Sequence, residues 1–119
     1  MRRLPAPRRL AMLVLSTSAA FNLADAASPE SVSDARCLIV AVSLLQSPNN
    51  TTRAAAASSA LYYLGRLDGR EPDVDLQKLV QDEVKKLSPE DIQSEAQRCG
   101  HFLSARGKVV SDIGKALAK

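Results

Sequence analysis

The sequence predicts an all-α protein, a single small domain of four to five helices that is stapled by one disulfide bond and preceded by a cleavable signal peptide. Three observations support this prediction. Apolar residues recur at helical spacing in several segments, the first 26 residues have the layout of an export signal, and the chain contains only two cysteines, Cys37 and Cys99. In an oxidising compartment, two cysteines in a small domain pair with each other by default.

Residues 1–26 contain the three parts of a secretory signal. Arginines come first, an apolar stretch starts at Leu10, and Ala24-Asp25-Ala26 has the small residues of a cleavage site. The apolar stretch is about a dozen residues long, whereas a membrane-spanning helix needs roughly 20. We therefore expect cleavage after Ala26, a helical domain over 27–119, a periplasmic or secreted location and no membrane span after cleavage. An uncleaved membrane anchor is the alternative.

The basic character of the chain belongs to the predicted signal. The whole sequence has a formal charge of +3, but 4 of its 16 basic residues and only 1 of its 13 acidic residues precede residue 27. Residues 27–119 thus carry 12 basic and 12 acidic side chains and are formally neutral. A basic chain suggests nucleic acid as a partner, and removal of the signal takes away the reason to expect one.

A bond between Cys37 and Cys99 would close a loop of about 60 residues, which stabilises a folded chain by roughly 4 kcal/mol in the chain-entropy model. One alternative is a reactive thiol, which needs a neighbouring base. The only histidine, His101, lies two residues from Cys99 and therefore on the opposite face of a helix. An intermolecular disulfide is the other alternative.

The first helix is expected to follow a short polar leader, Ala27 to Val32, with Ser33 as its N-cap. From Ala35 to Leu45 the residues are apolar almost all round, which is typical of a central, buried helix. The β-branched residues would also suit a strand, but no second strand-like segment is available to pair with it. Residues 47–50, Ser-Pro-Asn-Asn, break the chain.

Thr51 or Thr52 is expected to cap a second helix, with Gly69 as a left-handed C-cap. Its predicted apolar face comprises Ala57, Ala60, Leu61, Leu64 and Leu67. Asp73 is expected to open a third helix. The predicted apolar stripe of that helix comprises Leu76, Leu79, Val80, Val84 and Leu87, and its polar face carries Asp82, Glu83, Lys85 and Lys86.

The last helix is predicted to begin at Pro89 with Ser88 as its N-cap and to run toward Leu117, bent or interrupted at Gly107. Its expected core-facing residues are Ile92, Cys99, Leu103, Val110, Ile113 and Leu117. Beside them lies a seam of small residues that includes Gly100, Gly107 and Gly114, spaced seven apart. Either Gly107 ends a helix and the other glycines are tolerated, or the seam packs closely against the second helix or a second copy.

The sequence offers little for catalysis, because it has no nucleophile motif, phosphate loop, dinucleotide fingerprint or metal-ligand spacing. We expect a protein that is not an enzyme and that uses no cofactor or metal. Tyr62, Arg66 and Arg70 follow at spacings of four and would form one aromatic and basic strip on the second helix. That strip could bind an anionic or peptide ligand, or could be a solvated face in which an arginine stacks on a tyrosine.

The segments Asp34-Ala35-Arg36-Cys37-Leu38 and 62–70 (Tyr-Tyr-Leu-Gly-Arg-Leu-Asp-Gly-Arg) resemble small exported helical proteins of alphaproteobacteria, to which no activity is assigned. The overall plan is also similar to periplasmic acid-stress chaperones and to immunity proteins that block cell-wall amidase toxins. The resemblance implies an exported interaction or stress protein with a protein partner or self-association. An immunity or inhibitor protein that binds a cell-wall-directed toxin enzyme is the alternative.

Overall fold

The computed structural model describes residues 26–119, which form four α-helices and, over that range, no strand. The helices are α1 (Pro29–Leu44), α2 (Asn50–Arg70), α3 (Leu76–Val84) and α4 (Pro89–Leu117). A disulfide bond joins Cys37 on α1 to Cys99 on α4. The prediction of an all-α fold with one disulfide is confirmed. The predicted signal peptide lies outside the described residues, except for Ala26.

The helix α1 begins earlier than the sequence suggested. Ser28 is its N-cap and Pro29 is its first residue, with Glu30 in the first turn. The prediction of a polar leader and an N-cap at Ser33 was therefore wrong. Residues 28–30 have the same sequence pattern as residues 88–90, a serine followed by proline and an acidic residue. This pattern suits a helix start, where backbone N–H groups are unpaired and the helix dipole is positive.

The helix α2 also begins earlier, with Asn49 as its N-cap in place of Thr51 or Thr52. The Asn49 side chain accepts a hydrogen bond from the backbone N–H of Thr52 at 2.9 Å. Among the residues described here no glycine has a positive φ, so the predicted left-handed cap at Gly69 was wrong. The helix continues through Gly69 and ends at Arg70.

The end of α2 is fixed against the start of α1 by the Glu71 carboxylate. Its Oε1 accepts hydrogen bonds from the Ser28 N–H and the Ser31 hydroxyl, both at 2.8 Å. These hydrogen bonds, chiefly those from Ser28, hold the pKa of Glu71 below its ordinary value. The Glu71 carboxylate thus joins the C-terminal end of α2 to the N-terminal end of α1.

The helix α1 lies at the centre of the fold and contacts each of the other three helices. The buried core that it organises comprises Ala35, Cys37, Leu38, Tyr63, Leu67, Leu79 and Cys99. The face that α2 turns to this core contains the predicted Leu67, but Leu61 is 70% exposed and Tyr63 is buried in its place. The Tyr63 hydroxyl donates a hydrogen bond to the carbonyl of Cys99 at 3.1 Å, which satisfies its polar atom inside the core.

The short helix α3 starts at Leu76, with Asp75 rather than the predicted Asp73 as its N-cap. Leu79 of the predicted apolar stripe is buried against α1, whereas Val84 of the same stripe is 50% exposed. Glu83, which was assigned to the polar face, is instead only 2% exposed. The helix therefore packs through an apolar stripe and one buried carboxylate.

Two cations compensate the buried Glu83 carboxylate. The Arg36 Nε donates to its Oε2 at 2.9 Å and the Lys86 Nζ donates to its Oε1 at 2.7 Å. Burial by itself would raise the pKa of Glu83, but the hydrogen bonds from Lys86 and Arg36 outweigh that effect and lower the pKa below its ordinary value. Arg36 belongs to α1, so this charged contact ties α3 to the central helix.

The lowered pKa of Glu83 predicts a loss of stability in acid. A carboxylate whose pKa is lower in the folded chain stabilises the fold above its unfolded value of about 4.5, and this stabilisation disappears as the pH falls through the folded value. Urea unfolding at a series of pH values should show that loss. Glu83→Gln should reduce the free energy of unfolding by about 1–3 kcal/mol at neutral pH and make the curve flatter in acid.

The control is Asp73→Asn, because Asp73 is exposed in the connection between α2 and α3. Its curve should stay parallel to that of the wild type. Equal pH slopes for the wild type and Glu83→Gln would contradict the assignment of Glu83.

Candidate interaction surface

The helix α4 begins with a strong cap and crosses the other helices near its middle. Ser88 and Asp91 form a capping box, in which the Ser88 hydroxyl accepts from the Asp91 N–H at 3.1 Å and the Asp91 carboxylate accepts from the Ser88 N–H at 2.9 Å. The predicted start of this helix is confirmed. At the crossing, Arg98 donates to the Ser33 carbonyl at 3.0 Å and Cys99 bonds to α1.

Beyond Leu103 the helix leaves the rest of the molecule, and every residue from 104 to 119 is exposed. The helix runs unbroken through Gly107, so the predicted bend or interruption was wrong. We call 104–117 the α4 tail. The prediction that Ile92, Val110, Ile113 and Leu117 face the core was also wrong, because all four are exposed. For the last three, the apolar pattern of α4 continues beyond the part of the helix that packs on the body.

Four large apolar side chains on the α4 tail form what we call the tail stripe. They are Val109, Val110, Ile113 and Leu117, with exposed fractions of 40%, 69%, 54% and 82%. Cys99, Leu103, Val110 and Leu117 follow one another at spacings of four, seven and seven residues, so these four side chains lie on one face of α4. The tail stripe therefore faces the same side as the disulfide but extends past the body.

The α4 tail lacks the support that a helix of this length requires. The tail continues a helix that is already nucleated, so without packing its helical state depends on the propensity of its own residues, and each interior glycine costs up to about 1 kcal/mol relative to alanine. The tail contains Gly107 and Gly114. Its ion pair between Lys108 and Asp112, at 2.7 Å, adds only about 0.3–0.5 kcal/mol. A surface that covers the tail stripe would supply the missing stabilisation.

The three seam glycines do not pack closely inside the chain. A Cβ atom placed on Gly100, Gly107 or Gly114 would meet no side chain, nor backbone of another segment, within 4 Å. The hypothesis of tight packing against α2 is therefore wrong. What remains is that the glycines are tolerated, or that a second molecule approaches α4 there.

The predicted aromatic and basic strip lies on the body of the protein and is engaged within the chain. Asp34 is buried on α1, and its Oδ2 accepts from Arg66 Nε at 2.9 Å and from Arg70 Nη1 at 2.7 Å. The Arg66 guanidinium also lies over the Phe102 ring, 4.8 Å from its centroid, and 5.8 Å from that of Tyr62. These cations neutralise Asp34 and join α1, α2 and α4.

An apolar groove of about 330 Å³ opens beside the tail, between α1, α2 and α4. Its walls are formed mainly by small and aliphatic side chains; they include Val40, Ala41 and Leu44 of α1, Ala55, Ala56 and Ser59 of α2, and Ala96, Gly100 and Leu103 of α4. Leu103 borders the groove and also precedes the tail stripe. The two apolar surfaces thus follow one another along α4, with Arg106 between them, a feature that the sequence pattern did not reveal.

Charge is distributed unevenly between the tail and the rest of the domain. Residues 104–119 contain four basic and one acidic side chain, a net charge of +3. Residues 27–103 contain eight basic and eleven acidic side chains, a net charge of −3. The neutral composition of 27–119 therefore hides a basic tail on an acidic body.

One group of side chains has the ligand types of a metal site. Atoms of Cys37, Glu95 and Cys99 lie within 4.8 Å of one another. Both sulfurs are already consumed by the disulfide, and the Glu95 carboxylate binds Arg98 and lies 3.6 Å from Arg36. In the oxidised chain this group therefore consists of a disulfide bond and a neighbouring carboxylate that is ion-paired.

No helix within 26–119 is both long enough and apolar enough to cross a bilayer. Comparison of the chain with protein-family models, with curated proteins and with solved structures finds no significant match.

The open space around Gly107 gives a direct test of its role. Gly107→Ala should increase the helix content of the α4 tail, since the substitution favours the helix by up to about 1 kcal/mol and the added methyl group has room. Far-ultraviolet circular dichroism of dilute protein should show the gain, with an unchanged urea midpoint. A lower urea midpoint would indicate that the glycine packs within the chain and would contradict its assignment as unpacked.

Proposed function

We propose that this protein is a non-enzymatic interaction or stress protein of an exported compartment, periplasmic or secreted, and that it acts through the tail stripe. The observation that carries the proposal is the exposure of four large apolar side chains on a helix half that has no packed neighbour. Contiguous exposed apolar patches of this kind mark interaction sites. The disulfide supports an oxidising compartment.

The buried charges support a role in binding rather than in catalysis. Asp34 and Glu83, the two buried carboxylates among residues 26–119, each bind two cations. Those ion pairs connect helices, so they have a structural task. The single histidine, His101, is exposed on α4.

The geometry suits the binding of a helix into a groove. Val110, Ile113 and Leu117 follow at spacings of three and four, which is the pattern by which one helical face fills an apolar groove of its partner. The partner surface would be apolar along about two helical turns. Binding would also order a helix that is marginal alone.

A second candidate is an inhibitor or immunity protein that binds a cell-wall-directed toxin enzyme. The projecting α4 tail favours it, because a protruding helix can enter an enzyme cleft. Both candidates use the same tail stripe and differ in the partner it contacts.

Photo-crosslinking inside the producing cell tests the proposal. A photoreactive phenylalanine replaces Val110 on the tail stripe, and in a matched control it replaces Lys115, which is exposed on the opposite side of the same tail. Position 110 should yield a discrete crosslinked species, and Ile113→Glu should abolish it. Equal crosslinking from both positions, or none from position 110, would rule out the tail stripe as the working surface.

A further inference from the structure

We infer that the partner of the tail stripe is a second copy of this chain, and that each copy places its α4 tail against the groove of the other. This inference rests on the proposed function and adds the identity of the partner. The reciprocal arrangement has two-fold symmetry, so the same two surfaces meet twice. Within one chain, both surfaces are apolar and uncovered.

The available area requires more than the tail stripe alone. The exposed area of its four side chains with Phe102 is on the order of 500 Å², near the upper end for apolar patches of monomers. A standard interface buries about 800 Å² per partner. The groove lies directly beside the stripe and supplies further apolar surface. A contact in which each copy uses both surfaces comes to the lower end of the range for stable interfaces, about 1,200 Å² in total.

Two α4 helices that lie antiparallel can place large apolar residues of one copy beside small residues of the other. If two α4 helices lie antiparallel about a centre between Leu103 and Arg106, the tail of one copy lies beside residues 92–105 of the other. Ile113 then falls opposite Ala96, and Val110 falls opposite the Cys99 position. Large side chains of the tail thus meet the α4 wall of the groove, where residues are small.

The small residues on the groove also allow close approach. Gly100 has open space at its Cβ position, so the backbone of a second helix can come near it. Arg106 is the one charged side chain within the apolar face of the tail, and it is exposed. Its aliphatic stem can lie across Leu103 of the second copy while its guanidinium stays in water.

The charge distribution favours contact between the α4 tail of one copy and the body of the other over contact between the two tails. Residues 104–119 carry +3 and residues 27–103 carry −3, so reciprocal placement brings opposite charges together. A lipid surface is less well matched. Lys108 and Lys115 lie on the side of the helix away from the tail stripe, and both are near Asp112, at 2.7 and 3.8 Å.

Sedimentation velocity of the oxidised protein, with two variants that each break one half of the contact, tests the inference. Ile113→Glu places a charge in the tail stripe, and Ala55→Arg places a bulky cation in the groove at an exposed position of α2. The wild type should sediment as a dimer, and each variant should weaken dimerisation at least about tenfold, or 1.4 kcal/mol. An equimolar mixture should recover part of the dimer, because one tail and one groove remain intact.

The matched controls are Ser111→Glu on the tail and Ala57→Arg on α2, both exposed and both on the side of their helix away from the surface tested. They should dimerise as the wild type does. A monomeric wild type, or variants that dimerise normally, would overturn the inference. Two further outcomes would overturn the inference and leave the proposed function intact. One is a monomer that crosslinks from Val110 to another protein. The other is a monomer that binds phosphatidylglycerol vesicles, with Ile113→Glu abolishing that binding.

Discussion

The Cys37–Cys99 disulfide is the contact on which the position of α4 depends. It lies at the point where α1, α2 and α4 meet, and its two residues are 1% and 4% exposed. Around it, Tyr63 and Arg98 add hydrogen bonds to the backbone. Beyond Leu103 every residue is exposed, and the ion pairs of this segment join residues of the segment itself. The bond therefore holds a long helix by its first half and leaves the second half projecting.

The body that holds α4 is small, and charged hydrogen bonds supplement its apolar core. Asp34 and Glu83 on facing helices are neutralised by two cations each, and Glu71 joins the end of α2 to the start of α1. Buried charges of this kind destabilise a fold when one partner is lost. The body thus depends on ionised carboxylates, whereas the α4 tail exposes the apolar side chains of the proposed interaction surface.

The helices and the disulfide could be predicted from the sequence because periodicity and cysteine pairing are local or compositional signals. Three helices start at other residues than predicted, with Ser28, Asn49 and Asp75 as their N-caps. Neighbouring residues are equally suitable as caps, and the choice between them depends on tertiary contacts such as that of Glu71 with Ser28. The tail stripe was recognised as apolar, but periodicity cannot show whether a face meets its own chain or another. The groove could not be predicted, because its walls come from three separate helices.

Segment-resolved hydrogen exchange of dilute protein, oxidised and reduced, measures the central claim most directly. In the oxidised chain we expect slow exchange in α1 and around Cys99, and fast exchange in 106–117 because that segment has no packed neighbour. Reduction should raise exchange around Cys99 to the level of the tail while α1 stays slower. A tail as protected as the Cys99 region in dilute oxidised protein, or unchanged protection around Cys99 after reduction, would contradict the account.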